Sequence, residues 1–577
     1  MRTINHKADF CVIGGGMAGL CAAIAAARHG AKVVLMQDRP VLGGNASSEI
    51  RMWICGAQGE NMRETGIIEE IKLENMFRNK NFNFSVWDSL LYEKVRFEPD
   101  LTLLLNCSCN AAEMAGTRIK TAKGWQLTAE TWHVVAADLF ADCSGDSMLA
   151  PLTGAEYRYG REARAEFDED IEPENADSMT MGMSCLIQLR EMTSPQEFIP
   201  PDWAYKYPTC EELPNRYHKV AGCQNFWWLE VGGQRDTIHD TEDIRDELLK
   251  IAFGVWDHIK NHCREKDFHR NWALDWVGFL PGKRESRRYV GDYILTQNDV
   301  RSGGRFDDII GYGGWSMDDH HPAGFYYPGQ PTIFHPAPSP YGIPYRSLYS
   351  RNIENLFFAG RNISTTHAAL SSSRVMATCA VLGQAIGTAA AIAAAAGMTP
   401  REVYRRKIVE LQQSLMDDDI YLPWQRRTVS PLTATAVVSA SGGNPELLRN
   451  GVDRVVGTEI NAWECRAGDY AEYRWSEKQS VREIRLVLDS NLKEMHNSRA
   501  FYPLQPEEFQ VPRTLLRSFR LDGLDAAGGD WHPVYTEEAN HQRLVKIPIS
   551  VETVALRLIP LATWGNETVR IFAWDVN

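Results

Sequence analysis

The stretch FCVIGGGMAGLCAAIAAARHGAKVVLMQDR, residues 10–39, constrains this chain more than any other. An apolar run from Phe10 to Ile13 enters a glycine turn. Small residues then continue from Met17 to His29, Gly30 breaks them off, and a second apolar run follows from Val33 to Met36. Strand, helix and strand in that order predict a βαβ unit. Gly14 permits the tight turn, Gly16 lets a diphosphate approach the backbone, and Gly19 lets helix and strand pack closely. The diphosphate rests on the unpaired N–H groups at the helix start. Such a unit should end its second strand in an Asp or Glu that grips a ribose. Gln37 stands there instead, with Asp38 one step along. Neighbouring strand residues face opposite ways, so the two cannot both aim at one ribose. A Gln amide still accepts one hydroxyl and donates elsewhere, and exchanging a charge-assisted bond for a neutral one loses about 1 kcal/mol. The pattern reads as a dinucleotide site that has been re-tuned.

Two further strand ends share this texture. ADLFADCSGDSMLAPLTGAEY (137–157) runs into a turn containing Ser144, Gly145 and Asp146. NIENLFFAGRNISTTHAALSSSRVMATCAVLGQAIGTAAAIA (352–393) reads as a strand from Leu356 to Ala359, a glycine turn, a polar loop and a long small-residue helix. Three strand ends with glycine turns predict one α/β domain whose sheet edge holds one extended cofactor. The chain's 577 residues set a prior of roughly three or four domains, and a 44% hydrophobic content is enough for real cores. A net charge of −14, with basic residues scattered, argues against nucleic acid or an anionic membrane as a partner. Twelve cysteines without a CxxC pair exclude clustered thiolates for an iron–sulfur centre and fit small buried thiols in a reducing compartment. The start, MRTINHK, lacks the order of a secretory signal. A cytoplasmic location is expected, or a secreted or periplasmic one if a leader has been removed. The apolar stretch AVLGQAIGTAAAIAAAAG is broken by glycine and mostly alanine, which reads as a buried helix and not a membrane span.

Taken together, the segments VLGGNASSE, ADLFADCSGDS, GKRESRRYVGDYILTQND, YGIPYRSLYSRNIENLFFAGRNIS and SSSRVMATCAVLGQAIGTAAA resemble the FAD-dependent oxidoreductases of the glutathione-reductase-like superfamily, over about residues 8–415. They are most similar to single-FAD enzymes related to the flavin subunit of heterodisulfide reductase. The resemblance implies FAD in extended form, with adenosine at Gly14, Gly16, Gly19, Gln37 and Arg39. It places the flavin near Gly43, Gly44 and Asn45 and along the loop from Gly360 through Arg374. Met17, Ala18, Asp38, Ala46, Ser47, Ser144, Gly145, Asp146, Arg361 and Ala368 complete the implied cofactor set. Two departures stand out: Gln37 replaces the acid, and the cysteines of the cluster-bearing relatives are missing.

The expected architecture is a Rossmann-like FAD-binding domain (1–159 and 346–417) interrupted by an α+β substrate domain (160–345). A linker (418–429) leads to an all-β sandwich (430–577). The insert carries aromatic runs such as QNFWWLEVGG, NWALDWVGFL and GGWSMDDHHPAGFYYPG, but no second dinucleotide motif. In the last part VREIRLVLDS, RSFRLDGLD, RLVKIPIS, VALRLIPLA and VRIFAWDV alternate with turns, and Ile484, Leu486 and Leu488 share a face. That part resembles discoidin-like (galactose-binding-like) β-sandwiches, some of which bind glycans while many are only structural.

Flavin chemistry needs a donor C–H against the ring and a base for the accompanying proton. His367, His320 and His321 are candidate bases. Arg374 is a candidate for stabilising negative charge. Glu49, Arg51, Arg284, Arg287 and Trp315 are candidate substrate contacts, and Cys55 a weak candidate redox thiol. WSMDDHHP supplies no defined ligand set, because adjacent histidines diverge, so no metal is assigned. The expected activity is oxidation of a CH–OH group of a sugar or other small polar substrate, with an unassigned electron acceptor and a homo-oligomer as an open option. A flavin-dependent desaturase or reductase acting on C–C bonds, and a glycan-binding protein with structural FAD, are the alternatives.

Overall fold

The computed structural model describes residues 1–218, 225–493 and 510–577. Two compact units divide the chain: Met1–Ala57 with Asn81–Leu411, and Gln58–Lys80 with the described chain from Gln412 onward.

The first unit is built on a mixed sheet. Its strands are β1 (Arg2–Ile13), β2 (Val33–Met36), β3 (Leu101–Leu104), β4 (Cys107–Ala115), β5 (Arg118–Gln126) and β6 (Thr131–Asp142), in the order β3-β2-β1-β6-β5-β4. The helix α1 (Met17–Arg28) joins β1 to β2, which pair in parallel from Phe10↔Val33 to Ile13↔Met36. The βαβ unit therefore forms where the glycine pattern placed it. The first strand is longer than its apolar run suggests. Arg2–Lys7 alternate between exposed and half-buried positions and lie in parallel register with Thr131–Ala136, so backbone pairing supplies an extension that hydrophobicity does not signal. β6 takes two neighbours in turn along one edge within the same sheet: Thr131–Ala136 pair with β5, and Phe140–Asp142 pair in parallel with the strand Leu356–Phe358. All the parallel strands end at the same edge, and the glycine turns gather there.

The helix Met376–Ala396 is the chain's longest apolar helix, long and apolar enough by composition to cross a membrane, with 78% of its apolar window buried. It lies against α1 at very short range. A Cβ on Gly383 would strike the carbonyl of Ala18, and one on Gly387 that of Ala22. Those two glycines are what let the helix backbones touch. The region between β6 and Leu356 folds into small two- and three-stranded sheets and the helix Thr241–Asp257, around a cluster that includes Trp228, Leu248, Val255 and Trp256.

The second unit is an antiparallel β-sandwich. Its two long strands, Ala471–Leu488 and Leu544–Thr563, pair with each other and with Leu516–Leu524 and Thr568–Val576. RLVKIPIS and VALRLIPLA, which read as two strands, form one continuous 20-residue strand with register shifts along it. Ile484, Leu486 and Leu488 share the main core, while Val487 on the opposite face is equally buried beside Phe572 and Ala573. The segment Gln58–Lys80 belongs to this unit as well. Leu73 and Met76 enter its core, Arg454 donates to Thr65 Oγ1 at 2.8 Å, and Arg63 pairs with the buried Glu69 at 2.6 Å. Burial would raise the Glu69 carboxyl, but Arg63 outweighs it and holds the group at about 2.

Candidate functional site

One cavity of about 500 Å³ runs from the glycine edge of the sheet into the inserted region. Its two ends are built differently. At the sheet end the wall is mostly backbone. Gly14 sits at φ +96°, and a Cβ there would lie 2.6 Å from the backbone of Cys143 and Ser144, so the turn has room for no side chain. Gly16 is glycine for another reason. Its backbone (φ −66°, ψ −178°) suits any residue, and the nearest atom to an added Cβ is Gly44 Cα at 3.9 Å. The protein itself does not require a glycine at that position; an occupant of the cavity does. α1 begins there with no side-chain cap and no acidic residue in its first turn, so its N-terminal N–H groups are available to an anion. Those two observations fit a diphosphate.

Gln37 is only 2% exposed, and both ends of its amide are engaged with the chain: Oε1 accepts from Gly15 N at 2.6 Å and Nε2 donates to Val41 O at 3.1 Å. It closes the glycine turn onto the second strand. Asp38 is the exposed neighbour, and Arg39 lies 3.4 Å from Glu49. Farther along, Asp146 accepts from Lys283 Nζ and Arg361 Nη2, each at 2.8 Å, and from Ser286 Oγ at 2.8 Å. Burial would raise this carboxyl, but Arg361 and Lys283 prevail and hold it at about 2. Arg361 Nε has no protein partner.

At the inserted end the wall is side chains. His320 bridges two carboxylates, Glu230 Oε2 at 2.6 Å from Nδ1 and Asp318 Oδ2 at 3.3 Å from Nε2. Burial would depress its pKa, but Glu230 and Asp318 outweigh burial and raise it. For Asp318 burial again opposes, and His320 and Arg374 hold it well below the ordinary carboxylate range. Arg374 Nη2 donates to the Asp318 carbonyl at 3.1 Å. Arg284 donates to Ser184 Oγ and Trp227 O, both at 2.9 Å. Two buried donors on this wall, Arg374 Nε and Trp315 Nε1, have no hydrogen-bond partner among the described residues. Although the whole chain carries −14, cations (Arg39, Lys283, Arg284, Arg361, Arg374) outnumber the acids Asp38, Asp146 and Asp318 along the cavity.

Of the sequence-derived candidates, the cavity wall contains Gly14, Gly16, Met17, Ala18, Gln37, Asp38, Arg39, Gly43, Gly44 and Asn45, and also Ser144, Gly145, Asp146, Gly360 and Arg361. Gly19 lies behind the wall, packed on the Gly14 carbonyl. Ala46, Ser47 and Ala368 are buried beside it. Among the chemical candidates, His320, Arg374, Arg284, Trp315 and Cys55 line the cavity. His367 is not in the lining. It is 1% exposed, with Nδ1 2.9 Å from Glu285 and Nε2 3.3 Å from Asp319, in a buried network with Arg288 and Glu162. Burial would depress its pKa; Glu285 and Asp319 raise it well above the usual value instead. His321 turns the other way from His320 and stacks on Tyr327 at 3.8 Å. Arg51 stacks against Phe84 and Trp276 and donates to Gln188. Glu49 is tied to Arg39 and Arg287 lies over Tyr157.

Several wall residues carried no signal in the sequence. Ser108 and the thiols of Cys107 and Cys109 are brought in by β4, and burial pushes the two thiols up to about 11 and about 12. Trp227 was visible only as a member of the aromatic run QNFWWLEVGG, and Trp53 carried no signal. Lys283, which anchors Asp146, lay inside the segment GKRESRRYVGDYILTQND, but nothing in the sequence singled it out as a wall residue.

Comparison with known proteins agrees with this site. A search of curated proteins found no match. Solved structures that match include the family 32 carbohydrate-binding module of Streptococcus pneumoniae EndoD, at 15% identity over 25% of this chain and 94% of that one, with a TM-score of 0.20. The family 32 module of C. perfringens NanJ in complex with galactose matches at 8% identity over 26% and 97%, with a TM-score of 0.19. The family model described as FAD dependent oxidoreductase matches residues 9–415, the span that contributes every wall of the cavity. With a glycine cradle and an uncapped helix start that fit its diphosphate, FAD is the cofactor, and the chain belongs to the FAD dependent oxidoreductase family.

Proposed function

We propose that the enzyme oxidises a CH–OH group of a small, oxygen-rich substrate, a sugar or sugar-like molecule, held at the inserted end of the cavity. The observation that carries this reading is the pair of unpartnered buried donors, Arg374 Nε and Trp315 Nε1, beside a histidine poised between two carboxylates. A polar substrate with several acceptor oxygens satisfies such donors, and Trp53, Trp227 and Trp315 offer apolar faces to its C–H groups. FAD, when bound, supplies a two-electron acceptor.

The chain's own residues manage the proton and the orientation. Arg374 and Trp315 hold substrate oxygens. The 3.3 Å contact from His320 Nε2 to Asp318 lies at the long end of hydrogen bonding, so a substrate hydroxyl competes for that nitrogen. As the C–H hydrogen leaves with its electron pair, the O–H proton passes to Nε2 and a carbonyl remains. Glu230 keeps the proton on Nδ1 and stabilises the imidazolium that forms. Arg284, facing Glu230 at 3.4 Å, limits how far the carboxylates raise the His320 pKa.

Within the family, the combined motifs support a place beside single-FAD enzymes related to the heterodisulfide reductase flavin subunit, with chemistry that does not rely on clustered thiolates. Anaerobic mixing with a panel of sugars, polyols and sugar acids tests the substrate class. Bleaching of the flavin with carbonyl formation is expected. An alkene product would transfer the reading to C–C desaturation, and no bleaching by any alcohol would remove it.

A further inference from the structure

We propose that the inserted region carries a structural zinc site made by Cys210, His218, His258 and Cys263. The ligand atoms of these four side chains all lie within 4.8 Å of one another. Cys210 Sγ is 3.9 Å from Cys263 Sγ, and Cys263 Sγ is 3.7 Å from His218 Nδ1. A tetrahedral zinc with bonds of about 2.3 Å to sulfur and about 2.05 Å to nitrogen has edges of about 3.3 to 3.8 Å. Those two separations lie within about 0.2 Å of the ideal sulfur–sulfur and sulfur–nitrogen edges, and the remaining ones fall within 4.8 Å. A disulfide needs its sulfurs at about 2.05 Å, so the two thiols sit at the spacing of shared ligation and not of a covalent bond.

The second observation is His258. It is fully buried, its Nδ1 donates to the Tyr207 carbonyl at 2.6 Å, and its Nε2 has no hydrogen-bond partner among the described residues. Fixing the proton on Nδ1 leaves a lone pair on Nε2 within the cluster, the arrangement by which an outer contact orients a metal-binding imidazole. An unsatisfied buried ring nitrogen costs free energy, and a metal ion removes that cost.

The backbone is shaped for this meeting. Helix Thr241–Asp257 passes into a π-turn over His258–His262, closed by Cys263 N donating to His258 O at 2.6 Å. Five residues along an α-helix would turn the two side chains about 140° apart; the wider turn returns them to one side. The other two ligands come from one short arm, Cys210 in a turn capped by Thr209 and His218 just beyond it. Glu265 N donates to Cys263 Sγ at 3.4 Å, a contact that favours the thiolate. Four protein ligands leave no open position, so the site is structural and not catalytic. It would clamp the Cys210–His218 arm onto the end of the helix whose other face packs with Trp228 and Leu213. Two sulfurs and two imidazoles in a tetrahedron select zinc over magnesium, calcium or manganese.

The test uses the full-length, FAD-loaded protein. After dialysis against metal-free buffer, elemental analysis should find about one zinc per chain, lost in Cys263→Ser and in His258→Gln but retained in the remote Cys465→Ser. Exchange into cobalt should give tetrahedral ligand-field bands to the red of the flavin absorption, absent from the two ligand variants. Should those variants fail to fold, the wild-type protein still decides the matter: zinc must protect Cys210 and Cys263 from alkylation, read by peptide mass spectrometry with and without a chelator. Wild-type protein that takes up neither zinc nor cobalt overturns the proposal. So does a Cys210–Cys263 disulfide recovered from unreduced protein, equal alkylation with and without metal, or metal retained in both ligand variants.

Discussion

The two ends of the cavity hold their ligands by opposite means. The sheet end is backbone: glycines that clear space, a helix start with free N–H groups, and a glutamine spent on closing the turn. The inserted end is side chains, with charge balanced across His320, Glu230, Asp318, Arg284 and Arg374. A backbone cradle tolerates no bulk but depends little on side-chain chemistry. A side-chain wall tolerates changes in bulk and fails when one charge is removed, because the others are left buried without compensation.

The sharpest way to break that contrast is at the inserted end. His320→Gln should lower kcat/KM by about 10²- to 10⁴-fold while the purified protein stays yellow; loss of FAD instead would show that the two ends are not separable. Next in size is Gly16→Leu. The backbone there accepts a side chain, so the protein should fold and melt near wild type, yet FAD affinity should fall by about 100-fold or more, roughly 2.7 kcal/mol. Titration of released flavin measures it, and retained affinity would deny that the cradle faces the cofactor.

The pH profile sharpens the comparison from the charge side. His320 is raised above 6.5 by Glu230 and Asp318 against burial. As the base it must lose its proton before turnover, so kcat/KM should rise with pH through a limb above 6.5, and His320→Gln should abolish that limb. A limb at or below 6.5 would assign the base elsewhere. Outside the cavity lining, burial pushes Glu172 up to about 7, and neither of its carboxylate oxygens has a hydrogen-bond partner among the described residues. Its folded pKa exceeds the unfolded one, so ionisation opposes folding, and stability is lost as pH rises from about 4.5 through about 7. Glu172→Gln should therefore stabilise the protein by about 1 to 3 kcal/mol at pH 8 and leave it nearly unchanged at pH 4, as chemical denaturation at both pH values will report. The smallest effect belongs to Gln37→Glu. It keeps an acceptor for Gly15 N and loses the donor to Val41 O, so FAD affinity should change by less than about tenfold.

The sheet end was legible because local rules write it. Glycine spacing, a small-residue helix and two apolar runs act over thirty consecutive residues, and each does in the fold what its chemistry suggests. Gln37 shows where that reading stops. Its position was recognisable, but its amide turned inward to the chain because Gly15 N and Val41 O lie within reach only once the turn has closed. His367 makes the same point. The loop that carries it does reach the flavin domain, yet Glu285 and Asp319 claim both ring nitrogens, and its neighbour in role became His320. Adjacent histidines 320 and 321 are alike in sequence, but His320 closes its strand on the cavity wall while His321, just past the strand end, stacks on Tyr327.

The sequence alone determined the dinucleotide unit and the β-rich last quarter, which follow from periodicity and spacing among near neighbours, while its combined motifs carried the resemblance to the FAD family. Only the tertiary structure decided which charges meet, that Gln58–Lys80 joins the sandwich unit, and that the ligand atoms of Cys210, His218, His258 and Cys263 gather within 4.8 Å of one another. Those are contacts between residues tens to hundreds of positions apart. No local preference encodes such a meeting; it exists only when the packed chain brings both partners out of water together.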